Sequence, residues 1–366
     1  MLKQLYLQNF RNYKQLEFTP DAEYLILSGH NGTGKSNLLE SIYYLSTGYS
    51  FRQARDDNLV RFGSGHFIIR GIVSRAGIDY KIEVNYRQDQ RRKTTKINDK
   101  RALPGDCSNH LPVVVFSPQD LILVKGSPAG RRRFLDLVVA QVRPQHNSDL
   151  HYYNSVLYQR NKQLRSLKVS SVDLLPWDQQ LASLGSRIWK RRNLVLSELL
   201  SLSAGVFNSL SRGRILEGEY LSQIKGIKPE DNQEQYQNLF KESLKKSLSI
   251  DQRVKATTVG PHRDDFRLYL NGRETRIYAS QGEQRLVALA LKIGQYRLLT
   301  EVQSLEPILL LDDVFSELDE KHRLFVLEGM KQGSQVIATT TSSFKEGFAQ
   351  IRRLTPEIFV VYPKNF

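Results

Sequence analysis

The sequence predicts an α/β domain that is interrupted by a compact, mainly helical insertion. Three observations support this prediction. A glycine-rich loop near residue 30 separates an apolar run from a helix-forming run, four apolar residues near residue 310 are followed by two aspartates, and the middle of the chain has helical periodicity. We expect residues 1–128 and 252–366 to form the α/β domain and residues 129–251 the insertion.

The composition indicates a globular chain with a large basic excess. The 366 residues include 53 Lys and Arg against 38 acidic residues, a formal net charge of +15. This excess favours a polyanionic partner, and charge alone does not choose between nucleic acid and an anionic membrane surface. No stretch approaches the roughly 18 apolar residues that span a bilayer, and the N-terminus lacks a signal-peptide core. With a single cysteine, Cys107, these features predict a cytoplasmic protein without a membrane partner.

The first hundred or so residues are predicted to be mainly β-strands. Leu5 and Leu7 alternate with polar positions, and apolar runs bounded by turn residues follow them. The further expected strands are 23–27, 67–73, 80–86 and 113–116.

The middle of the chain is predicted to be helical. From Trp177 to Leu202, apolar residues recur at spacings of three, four or seven, and a second amphipathic segment covers Glu234–Leu248. The pattern is too short for a long coiled-coil arm, so we expect a bundle that packs on itself. Beyond Arg253, α/β character returns: a strand at Phe266–Leu270 precedes a hairpin signal. A helix at 280–299 and strands at 307–311 and 336–340 complete the expected elements.

The glycine-rich loop matches the P-loop pattern, GxxxxGK[ST], without exception. Its glycines permit tight turns and close approach to phosphate oxygens, and its N–H groups form an anion site with the following helix. Lys35 is expected to contact the β- and γ-phosphates of ATP, and Ser36 to hold Mg²⁺. The loop comprises Gly29, His30, Asn31, Gly32, Thr33, Gly34, Lys35 and Ser36, and Asn37 follows it.

Two aspartates end the apolar run Ile308–Leu311. A buried strand that delivers carboxylates at its C-terminal end is how P-loop enzymes reach the metal ion. Asp312 is therefore expected to bind Mg²⁺ through its water shell, and Asp313 to orient or deprotonate the attacking water. A core strand with a solvated acidic turn is the alternative, which the P-loop disfavours.

The segment Ser280–Arg285 resembles the signature loop of ABC-type ATPases in the form found in SMC-like heads. A Ser N-cap with Glu283 completing a capping box is the alternative interpretation. The resemblance implies that Ser280, Gly282 and Gln284 of one subunit contact the γ-phosphate held by another subunit. Ser316–Asp319 resembles the loop that lines the dimer interface of such heads.

The motif order predicts an ABC-type, SMC-like P-loop ATPase head, and the spacing indicates a subfamily. About 245 residues separate Lys35 from Ser280; transporter ATPases hold these loops closer together, and SMC proteins insert long arms. A compact insertion resembles the RecF family of bacterial DNA-repair ATPases. Stretches similar to that family are 7–13, 29–37, 116–121, 124–128, 131–136, 260–265, 280–285 and 311–319.

The RecF resemblance implies an ATP-dependent homodimer that binds duplex DNA and single-strand/duplex junctions. It further implies partnership with RecR and RecO, indirect action on RecA, and weak, DNA-stimulated hydrolysis. Another SMC-like head partnered with a nuclease, a transporter motor and a scaffold that does not hydrolyse ATP are the alternatives. The resemblance also places Arg11 and Asn12 at the nucleotide, with an exposed polar turn as the alternative.

Three positions depart from the patterns of these families. Gln119 stands where the RecF family usually has Glu, and it is expected to sense Mg²⁺ and the γ-phosphate. Asp313 stands where ABC heads usually have Glu, and it is one methylene shorter. Thr339–Thr341 replaces the usual switch histidine. We expect slow hydrolysis, suited to a switch.

Clustered cations are the candidate DNA contacts, since they would neutralise phosphates without reading sequence. A solvated surface is the alternative for each cluster. His262 and Arg263 either reach the nucleotide or dimer interface or serve the fold. The candidate DNA-binding residues are Arg91, Arg92, Lys93, Arg131, Arg132, Arg133, Lys190, Arg191 and Arg192.

Overall fold

The computed structural model describes residues 1–166, 170–211, 213–228, 230–303, 307–313, 334–341 and 348–363. The chain divides into two compact units. The first unit comprises Met1–Leu121 and Ala288–Phe366, and the second comprises Ile122–Val287.

The first unit contains an antiparallel six-stranded sheet. The alternation at its N-terminal strand buries Leu5, Leu7 and Phe10 against the core of the unit, as the sequence predicts. The strand order is β2-β1-β4-β5-β6-β7. The strands are β1 (Leu2–Phe10), β2 (Tyr13–Phe18), β4 (His66–Arg75), β5 (Ile78–Arg87), β6 (Arg92–Ile97) and β7 (Lys100–Ala102).

A second six-stranded sheet in this unit has a parallel core, with the order β14-β15-β3-β13-β12-β8. Four neighbouring strands run parallel: β3 (Tyr24–Ser28), β13 (Val336–Thr340), β12 (Ile308–Leu311) and β8 (Val113–Phe116). Antiparallel β15 (Ile358–Pro363) and β14 (Phe348–Thr355) extend the sheet beside β3. The carboxyl ends of the four parallel strands therefore meet at one edge, where α/β sheets bind ligands.

Helix α1 (Lys35–Thr47) follows β3 and packs Leu38, Leu39 and Ile42 into the same core. It ends at Gly48, whose φ of 73° closes the last turn. Short 3₁₀ turns cover Asp56–Leu59, Asp106–Asn109 and Pro118–Leu121.

The second unit is mainly helical. Its helices are α2 (Ile122–Lys125), α3 (Pro128–Val142), α4 (Gln145–Leu164), α5 (Ser171–Leu210), α6 (Gln233–Val254) and α7 (Thr275–Tyr278), and α8 (Gln281–Gln303) begins in it. A capping box formed by Ser170 and Asp173 starts α5. Trp189 on α5 stacks on Tyr236 of α6, with ring centroids 4.7 Å apart. The predicted apolar face of α5 is therefore core.

Helix α5 is long and apolar enough over part of its length to cross a membrane by composition alone. In this apolar stretch 39% of the residues are buried, including Leu199, Val206 and Phe207. A single helix of this kind is weak evidence for a membrane span, because core helices of globular proteins have the same composition.

The second unit also contains a three-stranded sheet and therefore covers a longer range of residues than the predicted insertion. Strands β9 (Leu216–Leu221), β10 (Asp265–Leu270) and β11 (Arg273–Glu274) form it in the order β11-β10-β9. Because β9 pairs along its whole length with β10, residues after 251 belong with the helical unit. The structural limits are thus 122 and 287 instead of the expected 129 and 251.

Candidate functional site

The parallel sheet brings together the motifs that the sequence places far apart. The P-loop follows β3, the two aspartates follow β12, and Thr341 follows β13, which lies between those strands. One pocket at this edge is lined by Asn31, Gly32, Gly34, Lys35, Ser36, Asn37, Arg52, Asp313, Thr339 and Thr341. Most of the predicted P-loop residues therefore share a cavity with the predicted catalytic aspartate.

Gly34 shows why the loop requires glycine. Its φ is 108°, in the left-handed region, and a Cβ atom there would lie 2.4 Å from the Asn12 side-chain nitrogen. Asn12 in turn donates to the Thr33 carbonyl at 3.1 Å and accepts from Asn37 at 2.9 Å. Asn12 is thus a brace behind the phosphate-binding loop.

The Lys35 ammonium group is hydrogen-bonded to the backbone of its own loop. It donates to the carbonyl oxygens of Gly29 and His30, each at 2.7 Å, and the residue is 6% exposed. Burial lowers the pKa of Lys35, while the nearby Asp313 and Asp312 act in the opposite direction. A phosphate oxygen would exchange with these carbonyls as the partner of the ammonium group.

Arg52 is a pocket residue that the sequence analysis missed. It donates to Asn37 at 3.0 Å and lies 3.6 Å from the Asp312 carboxylate. No motif marks this position, because it lies in the loop after α1 and reaches the site only through the fold.

Arg11 is held by an ion pair beside the loop. Its Nε and Nη2 atoms donate to the Glu40 carboxylate at 2.8 Å each, and Nη1 donates to the Asn58 carbonyl at 3.0 Å. Glu40 lies on α1, is fully buried and also accepts from Ser50 at 2.5 Å. Arg11 therefore fixes α1 to the β1–β2 turn, and it is not among the residues that line the pocket.

Thr339 joins the two aspartates. Its hydroxyl lies 3.2 Å from Asp312 Oδ1 and accepts from the Asp313 backbone N–H at 2.9 Å. Asp313 has a φ of 53°, a left-handed conformation that only a few per cent of non-glycine residues adopt. Thr339, the first of the three threonines predicted to stand in place of the switch histidine, thus bonds to the Asp312 carboxylate and to the Asp313 backbone. With Ser36 in the pocket and Asp312 beside it, the donors are hydroxyl and carboxylate oxygens, which fit Mg²⁺.

The signature loop opens α8 with the capping box that the sequence offered as an alternative. The Ser280 N–H donates to Glu283 at 2.6 Å, and the Glu283 N–H donates to the Ser280 hydroxyl at 3.3 Å. Ser280 and Gly282 are exposed, so a helix N-terminus is presented outward. Gln284 is buried and donates to the Ala279 carbonyl at 2.9 Å. It braces the loop, which argues against the predicted nucleotide contact.

Gln119 follows β8 and is exposed in the Pro118–Leu121 turn, at the sheet edge that carries the P-loop. The predicted interface loop Ser316–Asp319 lies outside the described residues.

The structure separates the candidate DNA-binding residues by exposure. Arg131 is 6% exposed and forms a bidentate pair with Asp265 at 2.8 and 2.6 Å. Arg192 is 2% exposed and pairs with Asp136 at 2.7 and 2.8 Å. Buried, paired guanidinium groups are not available to phosphates. The structure therefore contradicts the prediction that Arg131 and Arg192 contact DNA.

The remaining candidates are more accessible. Arg91, Arg92, Arg133 and Lys190 are exposed. Three others have partners: Lys93 pairs with Asp56 at 3.1 Å, Arg132 donates to the Asp264 carbonyl at 2.7 Å, and Arg191 pairs with Asp149 at 2.6 Å.

His262 has a structural environment. Its ring nitrogens lie 2.8 Å from the Tyr153 hydroxyl and 3.0 Å from the Thr257 carbonyl. Burial lowers its pKa to about 4. Both ring nitrogens are engaged within the second unit, which favours a role in the fold.

Comparison with known proteins decides the family. The model of the RecF/RecN/SMC N terminal domain matches residues 1–356. The DNA replication and repair protein RecF of Thermoanaerobacter pseudethanolicus is 37% identical over 351 residues, which cover 94% of this chain and 96% of that protein. The chain belongs to the RecF family. The RecF of Heliobacterium modesticaldum is 39% identical over 342 residues, covering 92% of this chain and 91% of that protein.

Solved RecF structures agree with this assignment. "Structure of the recombination mediator protein RecF-ATP in RecFOR pathway" superposes with a TM-score of 0.86 at 36% identity, covering 93% of each chain. A second RecF structure, titled as the RecF-ATPrS form, gives a TM-score of 0.84 at 36% identity over 94% of this chain and 93% of that one. The predicted RecF resemblance and the ABC-type, SMC-like head fold are both confirmed.

Proposed function

We propose that this chain is an ATP-dependent DNA-binding switch in recombinational repair and in the processing of replication gaps. The observation that supports this most directly is the placement of Lys35, Asp313 and Thr341 in one pocket, in a member of a family of DNA replication and repair proteins. Related structures are titled as RecF with ATP in the RecFOR pathway.

Residues in and beside the pocket have specific roles in the proposed ATP hydrolysis. The loop N–H groups and Lys35 would hold the β- and γ-phosphates. Ser36, Asp312 and Gln119 would hold a Mg²⁺ ion, which would supply positive charge to these phosphates. Asp313 orients the attacking water. Its side chain is one methylene shorter than the Glu of most ABC heads and therefore positions the water less closely, which favours slow hydrolysis. We propose that DNA binding stimulates this slow reaction.

The exposed signature loop favours an ATP-dependent homodimer. Ser280 and Gly282 lie at an outward-facing helix N-terminus, which attracts phosphate. In the dimer, this loop of each subunit completes the nucleotide pocket of the other.

The outer face of the antiparallel sheet is the DNA surface that charge placement favours. Arg87 lies directly opposite Arg92, and Lys96 lies directly opposite Arg101, all four exposed on one face. Like charges directly opposite each other destabilise a sheet. Glu83 on β5 lies opposite Lys96, and Asp89 lies 3.5 Å from Arg87, which offsets part of this repulsion. An anionic partner would offset the rest. Duplex DNA and single-strand/duplex junctions bind here through phosphates.

The proposed protein partners of this chain are RecR and RecO. It assists RecA indirectly, and its proposed location is the cytoplasm.

Sizing the protein with ATP, with ADP and without nucleotide, each with and without gapped DNA, tests the proposal. The wild type should dimerise only with ATP, and Lys35→Ala should lose ATP binding and dimerisation together. Asp313→Asn should keep ATP and stay dimeric on DNA. An Asp313→Asn variant that binds ATP and remains monomeric would refute the switch.

A further inference from the structure

Phe62 is the most exposed large apolar side chain among the described residues. It is 99% exposed, at the apex of the turn Arg61–Ser64. The Ser64 N–H closes this turn on the Arg61 carbonyl at 2.9 Å, and Gly63 adopts a φ of 79°. A single exposed apolar residue is ordinary, so its support and surroundings decide whether it has a role.

The backbone beneath Phe62 is tied down on both sides. The Arg61 N–H donates to the Asn9 carbonyl at 2.8 Å, and the Gln88 N–H donates to the Gly65 carbonyl at 2.9 Å. Val60 forms a β-bridge with Phe10. An aromatic ring on a fixed turn loses little conformational entropy on binding, which is the condition for a preorganised contact.

The charges displayed beside this tip are mainly cationic. Arg61 is in the same turn, and Gln88, which bonds to the turn, is followed closely by Arg91 and Arg92 in the β5–β6 hairpin. Within the described ranges, no salt bridge engages Arg61, Arg91 or Arg92.

The three acids of the same region each have a partner within it. Asp56 accepts from Tyr44 at 2.7 Å and pairs with Lys93 at 3.1 Å. Asp57 accepts from Tyr86 at 2.6 Å, and the exposed Asp89 lies 3.5 Å from Arg87. The surroundings of the ring are therefore basic, which suits a polyanion with flat apolar faces better than an apolar protein surface.

We propose that Phe62 stacks on the exposed base at a single-strand/duplex junction, while Arg61, Arg91 and Arg92 hold the adjoining phosphates. This inference rests on the proposed DNA-binding function. It identifies Phe62 as the residue that makes the protein bind a junction more tightly than a continuous duplex. In a continuous duplex every base face is covered by its neighbours, so the ring has nothing to stack on. At a junction an unpaired base offers a free π-face, which aromatic side chains bind without regard to sequence.

Three substitutions at this position separate stacking from folding. Phe62→Ala removes the apolar group, Phe62→Leu keeps it without the ring, and Phe62→Trp keeps a ring. Because Phe62 is fully exposed, all three should retain wild-type thermal stability and ATP binding. The DNA probes are a duplex closed by hairpins at both ends and the same duplex with one single-stranded arm, carrying 2-aminopurine at the first unpaired position.

Phe62→Ala and Phe62→Leu should bind the armed duplex about tenfold more weakly and the closed duplex as tightly as the wild type. Wild type and Phe62→Trp should quench 2-aminopurine, whereas Phe62→Ala should not. Arg92→Ala, the charge control, should weaken binding to both probes and reduce the salt dependence by about one phosphate contact.

If Phe62→Ala binds each of the two probes as tightly as the wild type does, the inference is overturned and the DNA-binding function stays intact. Loss of RecR association by Phe62→Ala, with DNA binding unchanged, would also overturn it and assign the ring to a protein contact. Failure of the wild type to bind either probe would instead reject the proposed function itself.

Discussion

The buried carboxylate of Glu40 offers a quantitative test of how the phosphate-binding loop is supported. Glu40 is fully buried and accepts two hydrogen bonds from Arg11 and one from Ser50. Removing one partner of a buried ion pair costs about 3–5 kcal/mol. The Arg11 side chain is 22% exposed and regains some hydration when it loses its partner, which places Glu40→Ala near the lower end, at about 3 kcal/mol. Glu40→Gln keeps the size and one acceptor and should cost about 1–2 kcal/mol.

Guanidinium denaturation of wild type, Glu40→Ala, Arg11→Ala and the double variant measures these values. Because both residues act through one contact, the double variant should be about 2 kcal/mol more stable than the sum of the single effects predicts. ATP affinity should fall for Glu40→Ala as well, since α1 begins at the P-loop lysine. A loss below about 1 kcal/mol for Glu40→Ala, or a coupling below about 0.5 kcal/mol, would refute the reasoning.

Two further predictions concern the second unit. Arg192→Ala should destabilise the protein by about 3–5 kcal/mol, because it leaves Asp136 without its arginine partner. Lys190→Ala, two residues away and exposed, should change stability by less than about 0.5 kcal/mol, and equal effects in denaturation would contradict the assignment of Arg192 to the core. Burial lowers the pKa of His262 to about 4, against about 6.5 when unfolded, so the unfolded chain takes up the proton first and stability is lost as pH falls from 6.5 towards 4. His262→Gln should reduce the loss of unfolding free energy over this pH range by at most about 3 kcal/mol. Asp264, whose pKa burial raises to about 6, has the opposite effect on stability, and this effect is the same in the wild type and the variant. Parallel plots of stability against pH for the two proteins would refute the prediction.

Most strands and helices of the first unit follow from the sequence, because each has a local signal. The run Val113–Phe116 is wholly apolar and bounded by turn residues, and the structure places β8 there. Strand β9 carries no such signal: LEGEYL has weak alternation and a central glycine. Gly218 is required because a Cβ atom would lie 2.9 Å from both the Arg267 carbonyl and Leu200. Its partner β10 is about 45 residues away in the chain, so tertiary pairing alone creates β9 and moves the unit boundary.

The candidate site shows the same division between local and tertiary information. A contiguous motif marks the loop from Gly29 to Ser36, and a strand end marks the aspartates. The sequence alone does not show which members of a basic run on a helix are exposed. A helix turns about 100° per residue, so one member of the run can face inward. Arg192 does so because Asp136 lies on another helix to receive it. Arg52 reaches the pocket from an unmarked loop for a similar reason.

The turn between β1 and β2 touches both the ATP site and the exposed aromatic tip. On one side, Asn12 holds the Thr33 carbonyl and Tyr13 donates to the Gly34 carbonyl at 3.0 Å. On the other, the Asn9 carbonyl anchors the base of the turn that carries Phe62. One short stretch of the chain, Asn9–Tyr13, therefore bonds both to the phosphate-binding loop and to the base of the turn that carries Phe62, so the two places share a single structural support.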